Sequence, residues 1–283
     1  MFKIVRKYSL NDTTDFLSVY APRIAAKAKP GQFIIFRIDE TGERIPLTIA
    51  GYDRAAGTVS VIFQKVGKST IKLGEMKEGD EILDFVGPLG TPSHLDGYRR
   101  VAVIGGGLGC AIAYPQAKYL HEQGTEVDMI VGFRSKDIII LEEEMRACSN
   151  TLTILTDDCS NGNQGLVTDG LKQKIESGAQ YDLVIAIGPP IMMKFVCRLT
   201  KQYGIKTIVS MNPIMIDGTG MCGGCRVTVG GKIKFACVDG PDFDGHEVDF
   251  DELIRRNRMY AADERHARDA HCNLMKMANT EQR

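Results

Sequence analysis

At 283 residues, 43% of them apolar and 25% charged, the chain has room for two domains and a small appendage, in the composition of an ordinary globular protein. A formal net charge of -1 argues against a nucleic-acid binder, which carries a basic excess or stripe. Charges in MFKIVRKYSLNDTTDF interrupt the place of a signal peptide's apolar core, and no apolar run approaches the ~18 residues of a membrane span, so the expectation is a soluble, cytoplasmic protein.

Up to about residue 98 the chain reads as short strands divided by turn residues. FKIVRKYSL, DFLSVYA, QFIIFRID, TVSVIFQ and EILDFVG are the candidates, with KPGQ, DETGE and DRAAG between them. Short strands at this spacing predict a small antiparallel β-barrel. Within this stretch VGKST resembles the end of a P-loop, but that motif needs a glycine at position 62, which is Ile62, and an ATPase is rejected.

From residue 99 the pattern changes to strict alternation. The strands VAVIGGG, VDMIVGF, TLTILTDD, DLVIAIG and TIVSM are separated by segments with helical spacing, among them LEEEMRAC, VTDGLKQKIES and PIMMKFVCRLTKQYG. Alternation of this kind predicts a parallel, doubly wound, Rossmann-like α/β domain over residues 99–210. Gly105, Gly106, Gly107 and Gly109 stand where the first of these strands turns into a helix. Glycine permits close backbone approach there, and a helix N-terminus favours a pyrophosphate. Strand–helix packing alone also selects glycine at such turns, and the full G-x-G-x-x-G pattern with its acidic residue is absent. Arg134, in VGFRSKD, is placed to meet a ribose or phosphate. Gly188 and Pro189, in IGPP, close the fourth strand at the carboxyl edge, where ligands of such sheets bind.

Residues 211–249 are rich in glycine and cysteine and include a hairpin-like VTVGGKIKF, and 250–283 read as a charged helical tail that wraps a neighbour or caps the subunit. Of eight cysteines, Cys110, Cys148, Cys159, Cys197 and Cys272 are scattered, and most of these read as small buried apolar residues. Cys222, Cys225 and Cys237 are different. They form C-x2-C followed, after eleven intervening residues, by a third thiol, all among glycines. Plant-type [2Fe–2S] sites use C-x4-C-x2-C with a distant fourth ligand. With Cys222 and Cys225 in the second and third slots, the first slot falls on Asp217, an anionic but harder donor. Gly218, Gly220, Gly223 and Gly224 let the loop close tightly and aim N–H groups at a cluster. The alternative is a structural zinc site, which would have to recruit His246 or Cys272 from outside these loops.

Taken together, PGQF, GERIPLTI, FQKVGKST, GPLG, GGGLG and the D-x4-C-x2-C-x11-C pattern resemble the ferredoxin–NADP reductase superfamily. Within it the order of parts is similar to the electron-transfer subunits of dihydroorotate dehydrogenase. It is more narrowly similar to the small subunits of NADH-dependent reduced ferredoxin:NADP+ oxidoreductases, also called sulfide dehydrogenase subunits. The resemblance implies FAD in the barrel, with Arg44, Pro46, Leu47 and Thr48 along the flavin. Thr48 would lie near its reactive nitrogen as the catalytic contact, and Arg44 near the pyrophosphate. It places Gly67, Lys68, Ser69 and Thr70 as donors to the FAD phosphates. Three positions depart from the superfamily's usual pattern: Leu47 stands for an aromatic residue, Arg44 falls one place early, and Ile112 stands where proline is frequent.

The function so implied is electron transfer between NAD(H) or NADP(H), FAD and a [2Fe–2S] cluster, as one subunit of a heterodimeric, electron-bifurcating ferredoxin:NADP+ oxidoreductase. The partners implied are a larger flavoprotein and iron–sulfur subunit (similar to a glutamate synthase small subunit) and ferredoxin. A dihydroorotate dehydrogenase electron-transfer subunit is the rival within the class. A zinc-stabilised nucleotide-binding regulator is the rival outside it.

Overall fold

The structure, a computed structural model, describes residues 1–270; Cys272 and the end of the expected helical tail lie outside the described residues. The chain begins with strands β1 (Phe2–Asn11) and β2 (Thr14–Tyr20), a short helix α1 (Pro22–Ala25), and strands β3 (Phe33–Arg37), β4 (Ile45–Asp53) and β5 (Thr58–Gln64). Helix α2 (Lys68–Glu75) and strands β6 (Glu81–Ile82) and β7 (Asp84–Leu89) complete this part. The seven strands form one sheet in the order β6-β1-β2-β5-β4-β3-β7. Its two edge strands are consecutive in the chain and separated by Leu83 alone, so the sheet has to curl until its edges meet. The period-2 pattern explains what fills it: Val59, Val61 and Phe63 alternate along β5 and are fully buried.

Two details differ from the reading of the sequence. Residues 68–75 form a helix, started by Gly67 in an extended backbone and fastened by Thr70, whose hydroxyl accepts from the N–H groups of Val66 and Gly67 at 3.1 Å each. Residues 45–48 open the nine-residue β4, which is absent from the strands read in the sequence.

Strands β8 (Arg100–Gly106), β9 (Glu126–Phe133), β10 (Thr151–Thr156), β11 (Leu183–Ile187) and β12 (Thr207–Ser210) alternate with helices α3 (Gly109–Glu122), α4 (Glu142–Ala147), α5 (Val167–Glu176) and α6 (Pro190–Gln202). The strands are parallel and ordered β10-β9-β8-β11-β12. Helices cover both faces, which is why Val101 to Ile104 form an unbroken apolar run, each residue fully buried. Strand order reverses between β8 and β11, opening a crevice at their carboxyl ends.

The cysteine-rich segment contributes a hairpin of β13 (Arg226–Val229) and β14 (Lys232–Phe235), as expected, and then β15 (Asp242–Asp244). That last strand, which the acidic triplet DFD did not announce, pairs antiparallel with β12 and becomes the sixth strand of the parallel sheet. Helix α7 (Phe250–Asn257) follows, with a further helical run over 261–270. Among the described residues no helix is long and apolar enough to cross a membrane. Cys110, Cys148 and Cys197 are buried as expected, whereas Cys159 is exposed in a turn with φ 63°.

The three parts meet at Asp242. Its Oδ2 accepts from the Ser93 hydroxyl and from Gln116 Nε2 on α3, at 3.4 Å for the amide. Asp242 Oδ1 and Gln116 Oε1 are both buried without a partner. Burial raises the Asp242 pKa above the usual carboxylate range, against the opposing hydrogen bonds. A raised carboxyl pKa means that its protonated form is favoured in the folded chain; that contribution is complete below the unfolded value and is lost as pH rises through the folded one. Asp242→Asn carries no charge and supplies a donor for Gln116 Oε1. We therefore expect it to be more stable than wild type at neutral pH by about 1 kcal/mol, with the difference closing as pH falls. Thermal denaturation between about pH 5 and 8 checks this; a variant less stable than wild type throughout would contradict it.

Candidate functional site

The crevice at the carboxyl ends of β8 and β11 widens into a cleft of about 1190 Å³. Gly106, Gly107, Gly109, Arg134, Gly188 and Pro189 all line it, so the structure brings together most of the residues singled out for a nucleotide. Gly105 lies just behind them, packed on Cys110.

The glycines divide into two kinds. A Cβ on Gly109 would sit 2.3 Å from the Ile187 carbonyl oxygen, so a bare backbone is what allows α3 to start against the end of β11. Gly107 has φ 53°, and an added Cβ there would meet nothing within 4 Å. That open space lies at the N-terminus of the fourteen-residue α3, whose dipole favours an anion. The opposite wall comes from the barrel through Thr13, Thr14, Gln64 and Val66, and a third side is apolar, from Leu166, Ile191 and Phe195. Those three are exposed, and neither set carried a motif by which the sequence could have marked it.

Arg44, Pro46, Leu47 and Thr48 are not among the lining residues of this cleft. Arg44 precedes β4, and Pro46, Leu47 and Thr48 run along it beside β3, in the register Phe33↔Thr48, Ile34↔Leu47 and Ile35↔Pro46. Directly opposed residues share a face. Ile34 and Leu47 turn into the barrel core, so the Leu47 side chain is committed to packing. Thr48 and Pro46 share the other face with Phe33 and Ile35, and Phe33 and Ile35 pack against Cys225 and Cys237. The Arg44 guanidinium reaches to 3.9 Å from Asp84. Of the α2 donors, the Thr70 hydroxyl is occupied in capping its own helix and the Ser69 hydroxyl donates to the Glu43 carboxylate. A Cβ on Gly67 would meet no protein atom within 4 Å, which leaves backbone approach open there.

The cysteine loops fold against that same barrel face. Gly218 fits because an added Cβ would lie 2.6 Å from Ile35 Cδ1. Among the described residues no three His, Cys, Asp or Glu side chains gather as a site for a single ion. The donors instead fall into two pairs. Asp217 Oδ2 accepts from the Cys222 N–H at 2.9 Å, and Oδ1 accepts from the Thr219 N–H at 2.9 Å. These bonds, that of Thr219 foremost, hold the carboxyl below its ordinary range and keep it anionic. Cys225 Sγ accepts from the Cys237 N–H at 3.4 Å, and both thiols are buried. Burial, and next the hydrogen bond with Cys225, push the Cys237 thiol up to about 12.

Two pairs of donors, the thiols becoming thiolates when metal displaces their protons, suit a dinuclear cluster, which takes two protein ligands on each iron. The Gly224 N–H already points to Cys222 Sγ at 3.4 Å, the kind of bond that tunes such a centre. The residues therefore fit the group. His246, one recruit of the zinc alternative, is engaged elsewhere, its Nε2 lying 3.0 Å from the Thr200 hydroxyl.

Comparison with known proteins agrees with this geometry. Residues 212–249 match the iron–sulfur cluster binding domain of dihydroorotate dehydrogenase B, and residues 103–198 match the oxidoreductase NAD-binding domain. The chain is 47% identical over 264 residues to the dihydroorotate dehydrogenase B electron-transfer subunit homolog of Thermotoga maritima, covering 93% of each. It is 32% identical over 255 residues to the dihydroorotate dehydrogenase B electron-transfer subunit of Geobacillus thermodenitrificans, covering 87% of this chain and 96% of that one. A chain of the NADH-dependent reduced ferredoxin–NADP oxidoreductase structure, solved in connection with flavin-based electron bifurcation, superimposes with a TM-score of 0.90 and 42% identity, over 95% of this chain and 97% of that one.

Proposed function

The chain belongs to the family of dihydroorotate dehydrogenase B electron-transfer subunits, and from that premise we propose that it moves electrons between NAD(P)H, FAD and a [2Fe–2S] cluster within a ferredoxin:NADP+ oxidoreductase-type complex. The observation that carries this reading is the shared face on which Thr48 and Pro46 lie with Phe33 and Ile35, the residues that pack on Cys225 and Cys237. When bound, FAD accepts two electrons together and releases them singly, and the cluster carries one at a time.

This chain's residues bind and orient. Gly107 and the first turn of α3 receive the dinucleotide pyrophosphate, and Gly188 and Pro189 hold the nicotinamide end at the mouth of β11. Thr48 and Pro46 border the flavin ring, with Leu47 contributing backbone only. Arg44 and the open backbone at Gly67 and Lys68 serve the flavin phosphates. Asp217, Cys222, Cys225 and Cys237 would hold the cluster. No side chain is required as an acid–base dyad. A larger flavoprotein subunit and ferredoxin are the partners that this reading implies. A TM-score of 0.90 and 42% identity across nearly the whole of that chain support a ferredoxin–NADP oxidoreductase-type complex.

The test is anaerobic purification, a visible spectrum, and low-temperature EPR after dithionite reduction, with iron and zinc counted on the same sample. Flavin absorbance with a reduced [2Fe–2S] signal and about two irons per chain supports the proposal. A colourless protein holding zinc overturns it. Asp217→Cys tests the fourth ligand: it should keep about two irons while its EPR line shape changes, and an unchanged spectrum would remove Asp217 from the ligand set.

A further inference from the structure

Helix α7 reaches back to the cysteine loop. Its position is fixed by Phe250 and Leu253, both buried in the core beneath the parallel sheet, by the Asp249 side chain accepting from the Glu252 N–H at 2.9 Å, and by Lys194 of α6 on Asp251 at 2.6 Å. From the helix so anchored, Asn257 Nδ2 donates to the Asn212 carbonyl at 3.2 Å, at the start of the cysteine-rich segment. Arg256 Nη2 donates to the Gly224 carbonyl at 3.1 Å. Gly224 is the inner residue of Cys222-x2-Cys225, and its own N–H points to Cys222 Sγ. The guanidinium is thus bonded to the peptide that joins Gly224 to Cys225. It is half-buried, and among the described residues no carboxylate lies within ion-pair distance of it.

A cluster held by one carboxylate and three thiolates is anionic and gains a further negative charge on reduction. A fixed cation on the loop that carries the ligands favours the reduced state, and partial burial protects that interaction from screening. Arginine suits the task because its planar fork holds a carbonyl while its charge does not titrate. We propose that Arg256 is a positioning residue for the cluster, fixing the Gly223–Gly224 turn and raising the reduction potential through its unneutralised charge. This rests on the iron–sulfur reading above.

Redox titration of the full chain, loaded with its cofactors and followed by EPR, tests it. Arg256→Gln keeps a donor for the Gly224 carbonyl and removes the charge. It is expected to shift the reduction equilibrium about tenfold toward the oxidised cluster, equivalent to about 59 mV for one electron. Arg256→Lys is expected to titrate close to wild type. If wild type itself shows no [2Fe–2S] signal, the iron–sulfur reading falls and this inference with it. If wild type shows the signal and Arg256→Gln titrates at the same potential, this inference alone is overturned. Should Arg256→Gln lose its cluster, Arg256→Lys decides. A loaded cluster at the wild-type potential supports the role of the charge, and a lowered potential or an empty loop overturns it.

Discussion

Cys237→Ser is expected to abolish the reduced [2Fe–2S] signal and to strip the chain of most of its iron, while reduction of the flavin by NADH survives. Cys237 is 1% exposed and pairs with Cys225 beneath Phe33, Ile35 and Ala236. A hydroxyl there is smaller, keeps its proton far more tightly than a thiol, and is a poor donor to iron. Cys237 is not among the residues that line the nucleotide cleft, so its step should be spared. The measurement pairs EPR and iron analysis with two assays: bleaching of the flavin by NADH, and onward reduction of a one-electron acceptor. Onward transfer should fall at least about a hundredfold, as expected when an obligatory carrier is lost. Full onward transfer from an iron-free variant would remove the cluster from the path.

The second large effect is expected at Gly109. Valine there must place Cβ where the Ile187 carbonyl oxygen lies 2.3 Å away and Gly188 Cα 2.8 Å away. Both are backbone atoms of the strand end that forms the cleft, and they cannot swing aside as a side chain does. The loss should exceed the ~1–3 kcal/mol of ordinary overpacking, and nucleotide-dependent flavin reduction should disappear even in protein that remains folded. Gly107→Ala is the control. Its site is open but has φ 53°, so folding should weaken by only about 1 kcal/mol, while nucleotide affinity drops because the methyl enters the cleft. Thermal denaturation and an NADH titration of both variants distinguish the two roles. A Gly109→Val protein with wild-type stability would show that α3 does not need this close approach.

The parallel sheet was plain in the sequence because covered strands must be apolar throughout, and Val101 to Ile104 or Leu183 to Ile187 admit no other reading. The cysteine spacing was equally plain, since thiols among glycines at C-x2-C serve few other ends. What escaped had a physical reason in each case. Helix α2 begins at Lys68-Ser69-Thr70, residue types that serve turns as readily as helices, and only the three-dimensional closure of Thr70 onto Gly67 decides between them. Strand β15 is two aspartates around a phenylalanine, and it is a strand only because β12 offers an edge. Leu47 was placed along the flavin by its position in a motif, but the alternation of β4 sends its side chain into the barrel. Arg256 lay in a stretch so rich in charge that no one residue stood out; its meaning comes from Gly224, thirty-two residues earlier.

Strand β15 also bears on how the chain can be cut. An unpaired edge is a template for pairing with another copy, and β15 closes the edge that β12 would otherwise present. A fragment ending near Met211, chosen to isolate the nucleotide-binding half, would leave that edge bare and expose Val209 and Met211, both buried in the intact chain. Such a fragment is expected to aggregate, whereas one extended past Asp244 should stay monomeric. The segment that holds the irons is in this sense also a seam: it ends the sheet, and it ties the solubility of one function to the presence of the other.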